Sequence, residues 1–173
     1  PPHSPQRPDD IEDRLLVTGV GDALERRAAP KAMASDLELG HDRLLIAAIR
    51  GLSEMAADNQ AVGGPATLML DTDTSVNAHT WNAALRAAGA ALAATDAVIA
   101  GEMENAFCAV RPPGHHATRK QAMGFCFFNN VALAAKYAVM RHQLQRVAIV
   151  DFDVHHGNGP EDICEGGPHL LMC

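Results

Sequence analysis

Two short apolar runs constrain the fold of this chain more than any other feature of its sequence. Residues 106–110 and 147–150 are unbroken apolar series, as is usual for strands buried on both faces of a sheet. Between them, residues 131–143 have the composition of a helix. Consecutive parallel strands need such a crossover. The pattern therefore predicts an α/β fold with a mainly parallel sheet flanked by helices.

The chain of 173 residues fits one domain or part of one. Four prolines in residues 1–10 predict an N-terminal arm. Residues 11–104 form a helical region with a loop. Helices are predicted from Ile11 to a stop at Pro30, at 35–55 with a break at Gly40, and at 81–99, and a loop or short strand at 67–76. A capping box at Ser35–Glu38 is expected to open the second helix. Residues 105–173 complete the chain as the strand–helix–strand segment.

Composition excludes several classes of function. Fourteen Lys and Arg against 21 Asp and Glu give a net charge of −7, which offers no broad basic face for direct binding of nucleic acid. No apolar stretch is long enough to cross a membrane. The four cysteines lie far apart without a Cys-x-x-Cys pair, which favours a reducing compartment: the cytoplasm or, in a eukaryote, also the nucleus. The sequence leaves the oligomeric state open.

Polar residues that could hold a metal follow the second apolar run. Asp153 and His155 are two residues apart, so in an extended chain their side chains point the same way at the edge of the sheet. A carboxylate with an imidazole suits Zn²⁺ or another borderline divalent metal. A catalytic zinc needs three protein ligands, and only these two are apparent. The pair could instead merely cap the strand and hydrogen-bond the loop.

A second histidine-rich loop follows the first apolar run. Residues 112–114 can form a turn that directs both His115 and His116 into one cavity. One ring could act as a general base on water while the other stabilises charge. Asp151 is a candidate to orient a ring N–H of one of these histidines, and Asn158 could do the same.

Two further segments could contact a substrate. Gly124 permits close approach of the backbone, and one phenylalanine of the run 125–128 could line an apolar channel. Asp71 and Asp73 could reach a cationic substrate, although an acidic surface loop is the favoured interpretation.

Three segments resemble the zinc-dependent histone deacetylase and acetylpolyamine amidohydrolase superfamily. They are Arg-Pro-Pro-Gly-His-His-Ala at 111–117, Gly-Phe-Cys-Phe-Phe-Asn-Asn at 124–130 and Asp-Phe-Asp-Val-His-His-Gly-Asn-Gly at 151–159. Their order is also that of the family. Asn158, where many class I members carry Asp, is similar to the class II and bacterial branch.

The resemblance implies an arginase/deacetylase-like three-layer fold, incomplete in this chain. It also implies hydrolysis of an N-acetyl-lysine in a histone or other protein, of an acetylpolyamine, or of a related N-acyl amine, to acetate and a free amine. By the same resemblance, Asp153 and His155 bind a catalytic zinc. His116 is the general acid/base, and His115 is its electrostatic partner.

The resemblance implies further roles for the neighbours of these residues. Asp151 pairs with His115, and Asn158 pairs with His116. The carbonyl of Gly124 meets the substrate amide, and Phe125 forms a wall of the acyl-lysine tunnel. A structural K⁺ is implied near Asp151, Asp153 and His155.

Two residues of the family's site have no counterpart here. The third zinc ligand, an Asp, and a Tyr that polarises the acetyl carbonyl would lie beyond Cys173, and Tyr137 falls in a predicted helix. We therefore expect the 173 residues to be the N-terminal portion of one deacetylase-like domain. Alone, they are expected to bind zinc weakly and to be inactive.

Two alternatives remain at the level of sequence. A non-catalytic module that binds acylated lysine would retain the pocket without turnover, although the intact histidines disfavour this interpretation. A binuclear manganese ureohydrolase would need a further carboxylate in an Asp-x-His-x-Asp motif, and position 157 is Gly. This feature argues against a ureohydrolase.

Overall fold

The structure, a computed structural model, describes residues 6–173 of the chain. Six α-helices lie in these residues: α1 (Arg7–Val17), α2 (Ala34–Leu37), α3 (Arg43–Ala61), α4 (Thr80–Ile99), α5 (Asn130–His142) and α6 (Asn158–Cys164). The strands are β1 (Thr67–Met69), β2 (Ser75–Asn77), β3 (Val147–Ile149) and β4 (Leu170–Met172), and a short 3-10 helix spans Val20–Ala23. None of the described helices is long and apolar enough to cross a bilayer.

The strands form two small sheets, which give an α/β fold. β1 and β2 make an antiparallel hairpin with Leu68 opposite Val76. β3 and β4 pair in parallel with Ala148 opposite Leu171, and the connection between them contains α6. The strand–helix–strand unit of the described chain is therefore β3–α6–β4. The prediction of an α/β fold is confirmed.

The strand predicted at residues 106–110 is wrong in this structure. These residues have no regular secondary structure, and the side chain of Phe107 is 74% exposed. A strand exists through hydrogen bonds to a neighbouring strand, and an apolar run by itself provides no such neighbour. β3 does form where a strand was predicted, but Val150, just beyond its end, is 69% exposed rather than buried.

In the N-terminal half, the first two helices do not begin where the sequence predicted. The arm predicted at residues 1–10 falls partly on residues 1–5, outside the described range, and α1 already begins at Arg7. Pro8 is compatible with the first helical turn, where no backbone N–H is needed for the helix. The capping box predicted at Ser35–Glu38 is also wrong, because Asp36 accepts the bond from the N–H of Met33 at 2.9 Å.

The break at Gly40 is confirmed, because α2 ends at Leu37 and α3 begins at Arg43. The main core is formed where α3, α4 and the hairpin meet the segment before α5. Its buried members include Leu37, Ile49, Val76, Leu92, Phe128 and Leu133. Trp81 packs edge-on against Phe128 with ring centroids 5.9 Å apart. This core supports the loops that precede α5, which carry the histidine pair.

Candidate active site

The loop with the histidine pair rests on the ends of two helices. A Cβ on Gly114 would lie 2.6 Å from the N atom of Asn130, at the start of α5. The N–H of Gly159, in the first turn of α6, donates to the carbonyl of His115 at 2.9 Å. The backbone of the loop is therefore fixed against both helices, and glycine is required at these close approaches.

A buried histidine outside the motifs holds the same loop. The Nδ1–H of His41 donates to the carbonyl of Thr118 at 2.8 Å, and Nε2 accepts from the N–H of Asn129 at 2.9 Å. Burial lowers the pKa of His41 from 6.5 to about 4, so the ring is neutral near pH 7. The side chain of Asn129 also caps α5 through Ala132 and donates to the carbonyl of Ala117.

The rings of His115 and His116 are in contact at the end of this loop, with centroids 4.1 Å apart and planes tilted by 37°. Nδ1 of His115 donates to Oδ2 of Asp151 at 3.0 Å, and these two side chains are only 19% and 15% exposed. The other oxygen of Asp151 accepts from the N–H of Asp153 at 3.2 Å. Asp151 thus joins the first histidine to the loop after β3.

His116 has an amide as its partner. Its Nδ1 lies 2.7 Å from Oδ1 of Asn158, and Nδ2 of Asn158 donates to the carbonyl of His116 at 3.2 Å. A carbonyl accepts only, so this second bond fixes which end of the amide faces the ring. Oδ1 must then accept from Nδ1–H, which leaves Nε2 of His116 as the proton acceptor.

Asp153 and His155 lie together beside the histidine pair. Oδ1 of Asp153 accepts from Nδ1 of His155 at 2.9 Å and from its backbone N–H at 2.8 Å. Hydrogen bonds from His155 hold the pKa of Asp153 below its usual value. The rings of His155 and His116 are 5.9 Å apart at an angle of 75°. Both side chains of the Asp153–His155 pair are largely exposed.

The Asp153–His155 pair has donor atoms of the types that zinc binds, but two ligands are only part of a catalytic zinc site. A carboxylate oxygen and an imidazole nitrogen are donors that zinc uses in proteins, and here the two groups lie side by side, with Nδ1 of His155 2.9 Å from Oδ1 of Asp153. No set of three or more His, Cys, Asp or Glu side chains in residues 6–173 is arranged to hold a metal ion.

The turn at Gly124 and Phe125 lies directly against His116. Both residues have left-handed backbone angles, with φ of +56° and +65°. A Cβ on Gly124 would lie 2.5 Å from Cδ2 of His116, so only glycine fits. The thiol of Cys126 donates to the carbonyl of Gly124 and accepts from the N–H of His116. Burial raises the pKa of this thiol to about 11, so it is protonated near pH 7.

The structure therefore brings six residues predicted for the site into one cluster, and Gly124 and Phe125 lie at its edge. The six are His115, His116, Asp151, Asp153, His155 and Asn158. Sequence reasoning missed the contacts of His41 and Cys126 in this site, and also that of Thr74, whose hydroxyl oxygen accepts from the N–H of Phe125. The pattern Asp71-x-Asp73-Thr74, which is typical of a turn held by Asp side chains, was a signal that could have identified Thr74.

Comparison with known proteins gives consistent matches. Residues 1–173 match the family described as the histone deacetylase domain. A histone deacetylase-like amidohydrolase of Pseudomonas aeruginosa is 41% identical over 160 residues, which cover 92% of this chain and 40% of that protein. The polyamine deacetylase HDAC10 of Homo sapiens is 37% identical over 168 residues, 96% of this chain and 24% of that protein.

A solved structure matches as well. The crystal structure of an HDA15 HD domain superposes with a TM-score of 0.88 at 32% identity and covers 99% of this chain and 46% of that one. The chain thus spans less than half the length of each of these three proteins. The resemblance carried by the three motifs is confirmed: the chain belongs to the histone deacetylase domain family.

Proposed function

We propose that the protein hydrolyses an N-acetyl-lysine or a related N-acyl amine, in a metal-dependent reaction, to acetate and a free amine. One observation carries this proposal: two imidazole rings in contact have different Nδ1 partners, and they lie beside an Asp–His pair suited to zinc. A negative carboxylate holds His115, whereas a neutral amide holds His116.

The different partners support different roles for the two rings. Nε2 of His116 is free to take a proton from an attacking water, because Nδ1–H is bonded to Asn158. The water oxygen forms a bond to the acyl carbon, and the C–N bond then breaks. The proton held at Nε2 passes to the departing amine nitrogen. His115, with Asp151 behind it, stabilises the positive charge that His116 acquires.

Asp153 and His155 would hold the zinc ion in this proposal. Zinc, when bound, supplies Lewis-acid chemistry that polarises the acyl carbonyl and lowers the pKa of water. A structural K⁺ near Asp151, Asp153 and His155 is a further part of the proposal. The carbonyl of Gly124 would accept from the substrate amide N–H, and Phe125 would form one wall of the channel.

The names of the relatives indicate the substrate classes to test first. One is a polyamine deacetylase and another is a histone deacetylase-like amidohydrolase. An acetylated protein and an acetylpolyamine are therefore the two substrates that we propose. A manganese ureohydrolase is not supported, because a Cβ at Gly157 would lie 2.2 Å from Oδ2 of Asp151 and no bridging carboxylate fits there.

The test combines zinc content with hydrolysis of an acetyl-lysine peptide and of an acetylpolyamine, in a protein that spans a complete histone deacetylase domain. We expect stoichiometric zinc and release of acetate. His116→Ala is expected to lower kcat by about 10²–10⁴-fold, the usual contribution of a general base. His169→Ala is the matched control, because His169 is exposed and its ring bonds to the carbonyl of Gln145, away from the histidine pair.

Two outcomes would contradict the proposal. If the protein binds zinc but hydrolyses neither substrate, a module that binds acylated lysine replaces the enzyme. If His116→Ala is as active as His169→Ala, the assignment of the base is wrong.

A further inference from the structure

The turn between β1 and β2 holds one buried hydroxyl in a fixed orientation. Oδ1 of Asp71 accepts from the N–H of Asp73 at 3.0 Å and from that of Thr74 at 2.6 Å. The hydroxyl of Thr74 donates to Oδ1 of Asp73 at 2.9 Å, and Thr74 is fully buried. A hydroxyl has one hydrogen, so its oxygen lone pairs face the other way and remain available as acceptors.

That oxygen accepts a hydrogen bond from a residue far away in the sequence. The N–H of Phe125 donates to Oγ1 of Thr74 at 3.0 Å. Phe125 has a φ of +65°, which an L residue with a bulky side chain adopts only when its surroundings hold it there. The hydrogen bond that Phe125 donates to Thr74 is one of the contacts that stabilise this conformation.

The same turn is packed on the proposed general base. Because a Cβ on Gly124 would lie 2.5 Å from His116, the backbone of Gly124 and the imidazole are in direct contact. The thiol of Cys126 links the carbonyl of Gly124 to the backbone of His116. A shift of the turn therefore changes both the direction of the Gly124 carbonyl and its distance from the ring.

We propose that Thr74 is a positioning residue of this site. Its hydroxyl holds the turn of Gly124 and Phe125 against His116 and so directs the Gly124 carbonyl toward the substrate amide. Asp73 orients the hydroxyl by accepting its hydrogen. The inference rests on the proposed function for its effect on turnover, whereas the geometric effect on Phe125 does not.

The first test measures hydrogen exchange of the Phe125 amide in the protein with the complete domain. Thr74→Val keeps the shape of the side chain but removes the acceptor, and we expect exchange of Phe125 to rise about tenfold, the usual effect of losing one hydrogen bond. Thr74→Ser restores the hydroxyl and is expected to return exchange to the original rate. Thr95→Val is the matched control, because the hydroxyl of Thr95 bonds within α4 to the carbonyl of Ala91.

The second test measures kcat and KM for an acetyl-lysine peptide with the same variants. Thr74→Val is expected to raise KM about tenfold, as for one lost hydrogen bond, because the Gly124 carbonyl is proposed to bind the substrate amide. A smaller fall in kcat is expected, because the turn touches the carbon edge of His116 while Asn158 still orients the ring. Thr74→Ser is expected to rescue KM. A general loss of structure would lower the active fraction, and hence kcat, without this rise in KM.

A second pair of variants covers the case in which Thr74→Val does not fold. Asp73 is exposed, and Asp73→Ala removes the group that orients the hydroxyl, whereas Asp73→Asn retains an acceptor. We expect faster exchange of Phe125 in Asp73→Ala and rescue in Asp73→Asn. Unchanged exchange and KM in Thr74→Val, or unchanged exchange in Asp73→Ala if only that variant folds, would overturn the inference. If no substrate is hydrolysed at all, the proposed function fails, and the exchange rates still decide the role of Thr74.

Discussion

At the scale of single residues, the orientation of one amide determines how His116 can act. Asn158 presents its oxygen to the ring because its NH₂ group donates to the backbone carbonyl of His116 and lies 3.6 Å from the sulfur of Met123. This arrangement keeps the proton on Nδ1 and leaves Nε2 to accept. The chemistry proposed for His116 therefore depends on a neighbour 42 residues away.

Asn158→Leu replaces this amide by an apolar side chain of similar size. The substitution removes the acceptor for Nδ1 of His116, so the ring loses its fixed orientation. We expect kcat/KM for deacetylation to fall about 10–100-fold, as for other partners that orient a catalytic or metal-binding histidine. Asn158→Asp retains an acceptor oxygen and is the control that keeps much of the activity. Equal activity of the Leu variant and the original protein would show that Asn158 does not orient the ring.

His41 carries a prediction about pH and stability. The folded protein holds this ring neutral, with its pKa lowered from 6.5 to about 4 by burial. The unfolded chain therefore binds a proton first as the pH falls. The contribution of the neutral His41 ring to the free energy of unfolding is complete above pH 6.5. It is lost as the pH falls from 6.5 to 4, which lowers that free energy by about 3 kcal/mol.

The measurement is the free energy of unfolding by urea between pH 7 and pH 4. His41→Gln is the comparison: it is expected to be less stable at pH 7, because Thr118 and Asn129 lose hydrogen bonds, but its stability should fall less as the pH is lowered. A decline of equal size in both proteins would assign the pH dependence to other groups.

At the scale of secondary-structure elements, sequence prediction succeeds where an element is stabilised by its own pattern. α4 and α5 lie where they were predicted, because apolar residues recur along one face of α4 and Asn129 caps α5. The strand predicted at 106–110 depends on a neighbouring strand, which the sequence of that segment does not contain. α6 was missed because its first residues, Asn158 to Pro160, have the composition of a loop.

The residues of the site also differ in whether local sequence or distant contacts determine their role. The residues of the three motifs could be identified, because histidines and carboxylates after apolar runs indicate chemistry by their type. The contacts made by Thr74, His41 and Cys126 could not be predicted, since each contact joins two separate segments of the chain. Such contacts arise only when separate elements have packed together.

Two glycines in helices differ in how closely other parts of the chain approach them. Gly159 in α6 is packed so that a Cβ would lie 2.3 Å from the carbonyl oxygen of Ala117, in the loop of the histidine pair. A Cβ on Gly51, in α3, would meet no atom of another element within 4 Å. We expect Gly159→Ala to destabilise the protein by about 2 kcal/mol through overpacking. Gly51→Ala should stabilise it by about 1 kcal/mol through helix propensity.

Thermal or urea unfolding of the two variants measures this difference directly. Gly159→Ala should also reduce deacetylation, because the loop with His115 must move to make room. If both variants stabilise the protein, the close contact between α6 and the loop is not present in solution.

At the scale of the whole molecule, the two halves of the site differ in how firmly they are held. His115 and His116 are half-buried and are bonded to Asp151 and Asn158, on loops fixed by helix ends and by His41. The loop after β3 is different. Phe152 and Val154, on either side of Asp153, are 96% and 92% exposed. Within residues 6–173, the histidine pair proposed to accept protons is therefore held by several contacts, whereas the pair that would bind zinc has little packing around it.

The zinc-binding pair of residues 6–173 should therefore hold metal weakly. Asp153 and His155 are the two zinc donors proposed in residues 6–173, and a catalytic zinc site uses three. Loss of an outer hydrogen-bond partner alone costs about 10–100-fold in affinity, so loss of a whole ligand should cost more. We therefore expect residues 1–173 alone to bind zinc at least about 100-fold more weakly than the complete domain. Competition with a chelator, followed by metal analysis, measures both affinities. His155→Ala should abolish the residual binding, whereas His169→Ala should not change it. Tight stoichiometric zinc in residues 1–173 that survives His155→Ala would show that the metal is held elsewhere in the chain.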